Sequence, residues 1–232
     1  MTHPYGPTSA RQAYASGPLS GRRTKLAPDP DVRCAILAAA SKSVHDQGVR
    51  GLSIAAVLER AQLSTRAFYR HFESKEQLVA EVFSELARVE MLRLRRRMAN
   101  ATCPVEAVAR WIDGRLDLAF DENTDFDLRR LSLRAQSEVL SSSEMVSVSA
   151  ILEPLIEQLA RGLETGVFQD VVPEAAAKSI HGVVWAATQQ QWAKNHRDCD
   201  ELRERALRFC LRGLGVAPKT IEQISGVNAA AG

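Results

Sequence analysis

A short segment of the sequence combines two aromatic residues with a face made of hydrogen-bond donors. Phe68 and Phe72 are four positions apart, so on a helix they share one face, which must be buried. The opposite face carries no carboxylate and consists of Thr65, Arg66, Tyr69 and Arg70. The Arg66 guanidinium suits guanine O6 and N7, and the other side chains suit a base, a thymine methyl or phosphates. The segment predicts a helix, ending near Phe72, that reads DNA in the major groove; an ordinary amphipathic helix is the alternative.

Three serine caps place this helix between two others. Ser53 precedes apolar residues that predict helix two over residues 54–60, and Ser64 begins helix three. An apolar pair around each of these serines has the spacing of a hydrophobic staple. Ser74 and Gln77 form a capping box that begins helix four, so helix three must end before it. Few residues remain for the turn between helices two and three, which forces the two helices to cross steeply.

The motifs in residues 61–78 resemble those of the DNA-binding domain of the TetR family of bacterial transcriptional regulators. Family members carry an Ala-Gly-Val-Ser turn, a Tyr-x-x-Phe pair and a Ser-Lys-x-x-Leu helix start. The corresponding segments here are Ala61-Gln62-Leu63-Ser64, Tyr69-Arg70-His71-Phe72 and Ser74-Lys75-Glu76-Gln77-Leu78. Gln62 replaces the turn glycine, where a positive φ is often wanted and a side chain costs about 1 kcal/mol. With helix one included, the resemblance covers about a fifth to a quarter of the chain.

The motif and the resemblance together define a set of candidate DNA-binding residues. Lys75 and the free amides at the start of helix four offer a further phosphate site, and Gln62 is itself polar. The predicted set is Ser53, Gln62, Ser64, Thr65, Arg66, Tyr69, Arg70, His71 and Lys75. We therefore predict that the chain binds double-stranded DNA in a sequence-specific way.

The charge distribution agrees with this prediction. The net charge is +2, but residues 1–100 carry 16 Lys and Arg against 9 Asp and Glu, whereas residues 101–232 carry 14 against 19. The half that contains the motif is therefore the basic half. Counterion release favours basic residues where a polyanion binds, so the asymmetry fits a DNA-binding module joined to a second module. A solvated basic surface is the alternative.

Composition and motifs argue against an enzyme, a metal site and a membrane protein. No Glu-x-x-His, GxSxG, P-loop or GxGxxG motif occurs, so no catalytic function and no cofactor is expected. The cysteines lack metal-ligand spacing and stand at Cys34, Cys103, Cys199 and Cys210. Without a long apolar stretch or a secretory h-region, the expected location is the cytoplasm. A helical-bundle binding protein or enzyme without DNA binding remains the alternative function.

The hydrophobic pattern predicts an all-α chain, with an N-terminal three-helix helix-turn-helix domain and a larger C-terminal helical bundle. The resemblance implies that this bundle serves ligand binding and dimerisation. The predicted domains are a disordered arm (1–28), a helix-turn-helix domain (29–76), an effector-binding and dimerisation domain (77–218) and a flexible tail (219–232). Helix one is expected to begin at Pro30 and to end at Gly48. Further helices are predicted over residues 75–98, 104–121, 124–139, 143–165, 173–195 and 199–213. Pro154 is expected to kink or split its helix.

Two predicted helices near the C-terminus have more apolar surface than one domain needs. The helix that opens at Pro173 is apolar nearly all round, through Ile180, Val183, Val184, Trp185 and Ala187. The last predicted helix adds Leu202, Leu207, Phe209 and Leu214. In the family that the chain resembles, these helices form a four-helix dimer interface, which implies a homodimer on a palindromic operator. A central helix buried within a monomer is the alternative.

The resemblance also implies a small-molecule effector in the C-terminal domain, whose binding releases DNA from a repressor. Ligand sites are mostly apolar with a few polar groups. The candidate residues are Trp111, Arg115, Gln136, Met145, Leu152, His181, Trp185 and Gln189. Aliphatic surroundings favour an apolar or lipid-like effector, although each residue also has an ordinary structural explanation, as core or as an ion pair. A C-terminal half that only recruits another protein is a third possibility.

Overall fold

In the computed structural model, residues 29–120, 142–194 and 199–230 are described. Every regular element in these ranges is an α-helix, as the sequence predicts. The helices are α1 (Pro30–Gly51), α2 (Ile54–Ala61), α3 (Thr65–Phe68), α4 (Lys75–Met98), α5 (Pro104–Phe120), α6 (Ser142–Glu164), α7 (Pro173–Lys194), α8 (Cys199–Gly213) and α9 (Pro218–Ala230). The predicted arm (1–28) and the whole of the predicted helix over 124–139, including Gln136, lie outside the described residues.

The first helix begins and bends where the sequence indicates. The Asp29 carboxylate accepts the backbone N–H of Asp31 at 3.0 Å, and Pro30 occupies the first helical position. Gly48 has a φ of 77°, a conformation that residues with a side chain rarely adopt. The regular helix is broken at this glycine, and a short helical turn continues to Gly51. The expected end of helix one is therefore a kink.

Helix α4 links two apolar cores. The first core is formed by α1 to α4, and its α4 members include Leu78, Val82 and Phe83. The second core is formed by the later helices and takes Leu94 and Met98 from the same helix. Within the described ranges, α4 alone contributes to both cores.

The second core is a bundle in which α4, α5, α6 and α7 pack against one another. Helix α6 packs along α4, while α8 packs against α5 and α7 and carries α9. Helix α6 continues through Pro154, so the predicted split does not occur. At the end of α6, the ring of Phe168 lies against Gly162, where an added Cβ would lie 2.1 Å from the ring. Phe168 is 1% exposed and closes this end of the bundle.

Two predictions about the C-terminal part of the chain are wrong. Residues 219–232 were expected to form a flexible tail, but α9 covers most of them and buries Ile221 and Ile224. These two residues are three positions apart and follow Pro218, a helix-starting pattern. Of the four residues that the last predicted helix was expected to add to a dimer interface, three are instead buried within the chain: Leu202 and Leu207 on α8, and Leu214 directly after it. None of the described helices is long and apolar enough to cross a membrane.

Candidate DNA interface and effector site

The turn between α2 and α3 is formed by a residue in the left-handed conformation. Gln62 has φ 55° and ψ 40°, and its N–H donates to the carbonyl of Glu59 at 3.1 Å. The next N–H, from Leu63, donates to the carbonyl of Leu58 at 2.9 Å. This pair of bonds closes the end of α2 in the way that a glycine usually does. The positive φ expected at this position is therefore adopted by a glutamine.

Helix α3 is shorter than the sequence predicts. Ser64 caps it, with its hydroxyl accepting the Ala67 N–H at 3.3 Å, but the regular helix ends at Phe68 rather than near Phe72. The chain then continues in tight turns, in which the N–H of Arg70 donates to the Ala67 carbonyl and that of His71 to the Phe68 carbonyl, each three residues back. The Phe72 N–H donates to the Phe68 carbonyl, four residues back, at 2.9 Å. Phe68 and Phe72 therefore still lie on one face of the segment, as predicted.

The buried face of this segment is fixed by aromatic packing. Phe68 and Phe72 are 0% and 1% exposed, and their rings stack with centroids 5.6 Å apart. The guanidinium of Arg33 on α1 lies 5.4 Å from the centroid of the Phe72 ring. Arg33 also contacts Glu81 of α4 at 2.9 Å. Residues 65–72, which we call the recognition segment, are therefore held between α1 and α4, and the packing of the first core sets the orientation of this segment.

The opposite face is at the surface, as predicted. Tyr69 is 61% exposed, and its ring meets the edge of the Phe68 ring at 5.2 Å. The other exposed members of the predicted set are Ser53, Gln62, Ser64, Thr65, Arg66 and Arg70. His71 and Lys75 are half-buried. Ser53 has the backbone conformation of an N-cap, but in the described chain its hydroxyl makes no capping bond, contrary to expectation.

The start of α4 closes the site on its other side. The Ser74 hydroxyl accepts the Gln77 N–H at 3.1 Å. The Gln77 side-chain oxygen accepts the N–H of Glu73 at 2.5 Å, whereas a regular capping box would return to the serine itself. Lys75, the first residue of α4, stands beside the remaining free amides of this helix start. An anion such as a phosphate is favoured there.

The basic run at the end of α4 serves the bundle. Arg95 donates two hydrogen bonds to Glu157 of α6, at 2.6 and 2.7 Å. Arg97 contacts Asp117 of α5 at 2.6 Å. Arg93 donates to the backbone carbonyl of Gly114 on α5 at 2.5 Å. These arginines join α4 to its neighbours, so they belong to the bundle rather than to the candidate DNA interface.

Three of the predicted effector-site residues come together in the second core. Trp111 is 0% exposed, and its indole N–H donates to the backbone carbonyl of Ile151 at 3.3 Å. The ring of His181 on α7 meets the Trp111 ring edge-on, with centroids 6.5 Å apart. Arg115 lies one turn beyond Trp111 on α5 and is also buried. Leu152, at 2% exposed, belongs to the same core.

The remaining predicted effector residues are not part of this cluster. Trp185 is half-buried and Gln189 is exposed, so the stack expected for these two residues and His181 extends outward to the surface. The side chain of Met145 and the whole of Gln136 lie outside the described part of the chain. No group of His, Cys, Asp or Glu side chains suited to a metal occurs among the described residues.

A buried carboxylate that the sequence reading missed completes the cluster. Glu90 on α4 contacts Arg115 at 2.9 Å, and their side chains are 2% and 7% exposed. Arg93 donates to both oxygens of Glu90 and to the Gly114 carbonyl. The signal was present, because Glu90 stands at helical spacing within a buried stripe that otherwise holds Phe83, Ala87 and Leu94. A carboxylate in such a stripe requires a buried cation as a partner.

The imidazole of His181 is held neutral in this setting. Burial, and to a smaller extent the nearby positive charge of Arg115, together lower its pKa to about 4. Its Nδ1 atom is buried and has no hydrogen-bond partner, and the same holds for Nε of Arg115. These two nitrogens are the notable unsatisfied atoms of the cluster.

Comparison with known proteins agrees with this geometry. Residues 36–82 match the family of bacterial regulatory proteins named the tetR family. No curated protein matches the chain. Among solved structures, RolR in complex with resorcinol shares 21% identity, over 84% of this chain and 93% of that chain, with a TM-score of 0.61. FadR from Bacillus subtilis in complex with stearoyl-CoA shares 18% identity, over 78% and 98% of the chains, with a TM-score of 0.64.

A third similar structure is SmeT, the repressor of a Stenotrophomonas maltophilia multidrug efflux pump. It shares 21% identity with this chain, over 78% of this chain and 89% of SmeT, and the TM-score is 0.59. The all-helical fold with its exposed recognition segment defines a helix-turn-helix DNA-binding protein. Residues 36–82 thus match the tetR family of bacterial regulatory proteins, as the motifs of this segment predicted, and the fold of the chain is similar to that of solved TetR-family regulators.

Proposed function

We propose that the protein is a ligand-responsive repressor that binds a palindromic operator as a homodimer and leaves it when a small, largely apolar effector binds. The observation that carries the proposal is the arrangement around Phe68 and Phe72. Their burial holds a face of donors at the surface, directly after the turn at Gln62. Such a face, presented by a short helix after a tight turn, suits the major groove.

Within this face, the residues divide into base-reading and phosphate-binding roles. Arg66 is exposed and has a planar guanidinium, so it is assigned to a guanine. Tyr69, Arg70 and Lys75 are assigned to phosphates, which fix the position of the helix on the duplex but carry no sequence information. Thr65 is assigned to a base or a thymine methyl.

A second copy of the chain extends the reading to a useful length. One short helix contacts only a few base pairs, whereas two helices about 34 to 36 Å apart reach successive major grooves. The dimer is assigned to α7 and α8. On α7, Val183 and Trp185 are only half-buried, and on α8 Phe209 is 66% exposed. Covering these apolar side chains is the physical reason for association.

The effector is assigned to the cluster around Trp111, Arg115 and His181. Two structures of the same fold are described with an organic ligand, resorcinol in RolR and stearoyl-CoA in FadR. In this chain the cluster has the composition of a ligand site, an apolar core with a few buried polar atoms. We assign the effector an apolar, lipid-like body because the residues of that core are largely aliphatic.

Release requires that the effector prefer a conformation that does not fit DNA. The preference shifts the population of the two conformations, with a coupling of about 1 to 3 kcal/mol in typical cases. Helix α4 is the assigned route, because it contributes to both cores and carries Lys75 at one end and Glu90 in its second half.

The experiment that tests the proposal is selection of bound DNA from a random pool, followed by salt titration on the selected sequence. A palindromic sequence, a steep fall of affinity with salt and the mass of a dimer in light scattering are expected. A selected site without two-fold symmetry argues against the dimeric operator. Failure of a folded sample to enrich any sequence rejects sequence-specific binding.

A further inference from the structure

Two buried nitrogen atoms of the second core, one on α5 and one on α7, have no hydrogen-bond partner. They are Nε of Arg115 and Nδ1 of His181. The Arg115 side chain is only 7% exposed, so its Nε atom is withdrawn from bulk water. A buried polar group without a hydrogen bond is unfavourable, and a bound ligand that supplies the partner removes this cost. The two atoms therefore mark a place for a hydrogen-bond acceptor.

The charge of the cluster identifies the kind of acceptor. In the described part of the chain, Glu90 is the carboxylate that both Arg93 and Arg115 contact, so two cations share one anion. Two other carboxylates of α5 flank Arg115, and both contact Arg203 instead: Asp113 at 3.5 Å and Asp117 at 2.7 Å, the latter also contacting Arg97. The cluster thus carries an excess positive charge in a region of low exposure. An anion placed there is stabilised more strongly than it is in water.

The neighbouring surface is apolar. Trp111 precedes Arg115 by one turn of α5, and its only polar atom is already engaged by the Ile151 carbonyl. Its ring therefore offers an apolar wall beside the two unsatisfied nitrogens. His181 contributes to the same wall through its edge-on contact with Trp111.

We propose that the effector is an organic acid, with an apolar body against Trp111 and a carboxylate that accepts hydrogen bonds from Nε of Arg115 and Nδ1 of His181. This inference rests on the proposed function and specifies the ligand class of that same site. Neutral His181 donates from Nδ1 in one of its two tautomers, and Arg115 donates as a cation. A charged donor makes the acid a better ligand than an alcohol of the same shape.

The same arrangement explains how the acid acts on α4. Arg115 holds Glu90, which lies on α4 between Phe83 of the first core and Leu94 of the second. A ligand carboxylate on Arg115 shares the cation that Glu90 uses. The hold of α5 on α4 is thereby weakened, and α4 is the helix that joins the effector core to the DNA-binding core.

The test compares acids with their alcohols on the full chain. The probes are the straight-chain carboxylates from hexanoate to dodecanoate, together with benzoate and phenylacetate, each paired with the alcohol of the same carbon skeleton. Affinity is measured by calorimetry and by the thermal shift of the protein. In the wild type, at least one acid is expected to bind tighter than its alcohol by about tenfold or more, the effect of one charged hydrogen bond.

Two variants localise the effect. Arg115→Met leaves Glu90 paired with Arg93 and is expected to abolish the preference for the acid. His181→Phe keeps a ring against Trp111 and is expected to weaken acid binding by about tenfold while alcohol binding is unchanged. It tests the inference even if Arg115→Met fails to fold. Arg95→Met is the matched control, since Arg95 pairs with Glu157 instead and its loss is expected to leave the preference intact.

The inference is overturned if acids bind no tighter than alcohols, if Arg115→Met and His181→Phe retain the full preference, or if none of the probes binds the wild type. These outcomes are separate from failure of the proposed function. That failure appears in the absence of DNA enrichment by the wild type without any probe, a measurement that does not involve Arg115 or His181.

Discussion

The carboxylate of Glu90 on α4 lies 2.9 Å from the guanidinium of Arg115 on α5, and both side chains are more than nine-tenths withdrawn from solvent. Replacing Glu90 by glutamine leaves two guanidinium groups without their shared anion. We expect Glu90→Gln to lower the free energy of unfolding by about 3 kcal/mol, because an uncompensated buried charge remains. Urea denaturation followed by circular dichroism measures this loss.

The control for this prediction is Glu85→Gln on the same helix. Glu85 pairs with Arg88 at 2.6 Å, but these side chains are 50% and 56% exposed. An exposed pair contributes about 0 to 1 kcal/mol, so the control is expected to lose little stability. Equal losses in the two variants contradict a special role for the buried pair.

The left-handed conformation of Gln62 leads to a second prediction. Gln62→Gly removes a Cβ from a residue with φ 55° and is expected to raise the free energy of unfolding by about 0.5 to 1 kcal/mol. Gln62→Val places a β-branched side chain at the same φ and is expected to lower it by more than that. Thermal unfolding measures this, and the expected order of stability is Gln62→Gly, then the wild type, then Gln62→Val. A less stable glycine variant indicates that the Gln62 side chain makes a stabilising contact.

A third prediction distinguishes the base-reading role proposed for Arg66 from the phosphate-binding role proposed for Lys75. Arg66→Ala is expected to cost about 1 to 3 kcal/mol on the selected operator and to relax specificity at one position of each half-site. Lys75→Ala is expected to weaken all sequences alike and to reduce the salt slope by about one. Binding titrations on the operator and on single-base variants measure both. Indistinguishable profiles for the two variants remove the base-reading role of Arg66.

The contact between Gly162 and Phe168 leads to a fourth prediction. An added Cβ at Gly162 lies 2.1 Å from the Phe168 ring, which is 1% exposed and cannot swing into solvent. Gly162→Ala is expected to destabilise the bundle by about 1 to 3 kcal/mol through overpacking. Gly213→Ala is the control, because no atom lies within 4 Å of its added Cβ. Loss of stability in the control but not at Gly162 contradicts the prediction.

The features of the fold that the sequence predicted well depend on interactions between residues close together along the chain. Helix starts at Pro30, Ser64 and Ser74 follow from caps that act within a few residues, and α4 has the predicted bounds, Lys75–Met98. The burial of Phe68 and Phe72 follows from helical spacing alone. The donor face opposite them was therefore predictable as a surface.

What the sequence reading missed depends on contacts between distant segments. The partner of Glu90 is 25 positions further along the chain, so no local pattern identifies Arg115. In the same way, burial of Leu202 and Leu207 within the chain depends on how α8 packs against α5 and α7. Both leucines suit a dimer interface equally well as isolated apolar residues, which is why they were assigned to one.

The partly buried imidazole of His181 makes the stability of the protein depend on pH, in a direction that follows from its lowered pKa. Its pKa is about 4 in the folded chain, against an ordinary value of 6.5, because burial disfavours the cation. As the pH falls below 6.5, the unfolded chain takes up a proton at this residue and the folded chain does not. The contribution of the neutral imidazole is therefore complete above pH 6.5 and is lost progressively as the pH falls toward 4.

The variant His181→Phe isolates this contribution, because phenylalanine keeps a ring at the same place and cannot titrate. Urea unfolding of the wild type and the variant, measured at intervals between pH 7.5 and pH 4, gives the difference in stability. Carboxylates that titrate in both proteins, such as Glu106, whose pKa is held at about 2 by hydrogen bonds from Thr102, cancel in this difference. The wild type is expected to lose more stability than the variant below pH 6.5. Parallel curves for the two proteins show that His181 is protonated equally in the folded and unfolded chains.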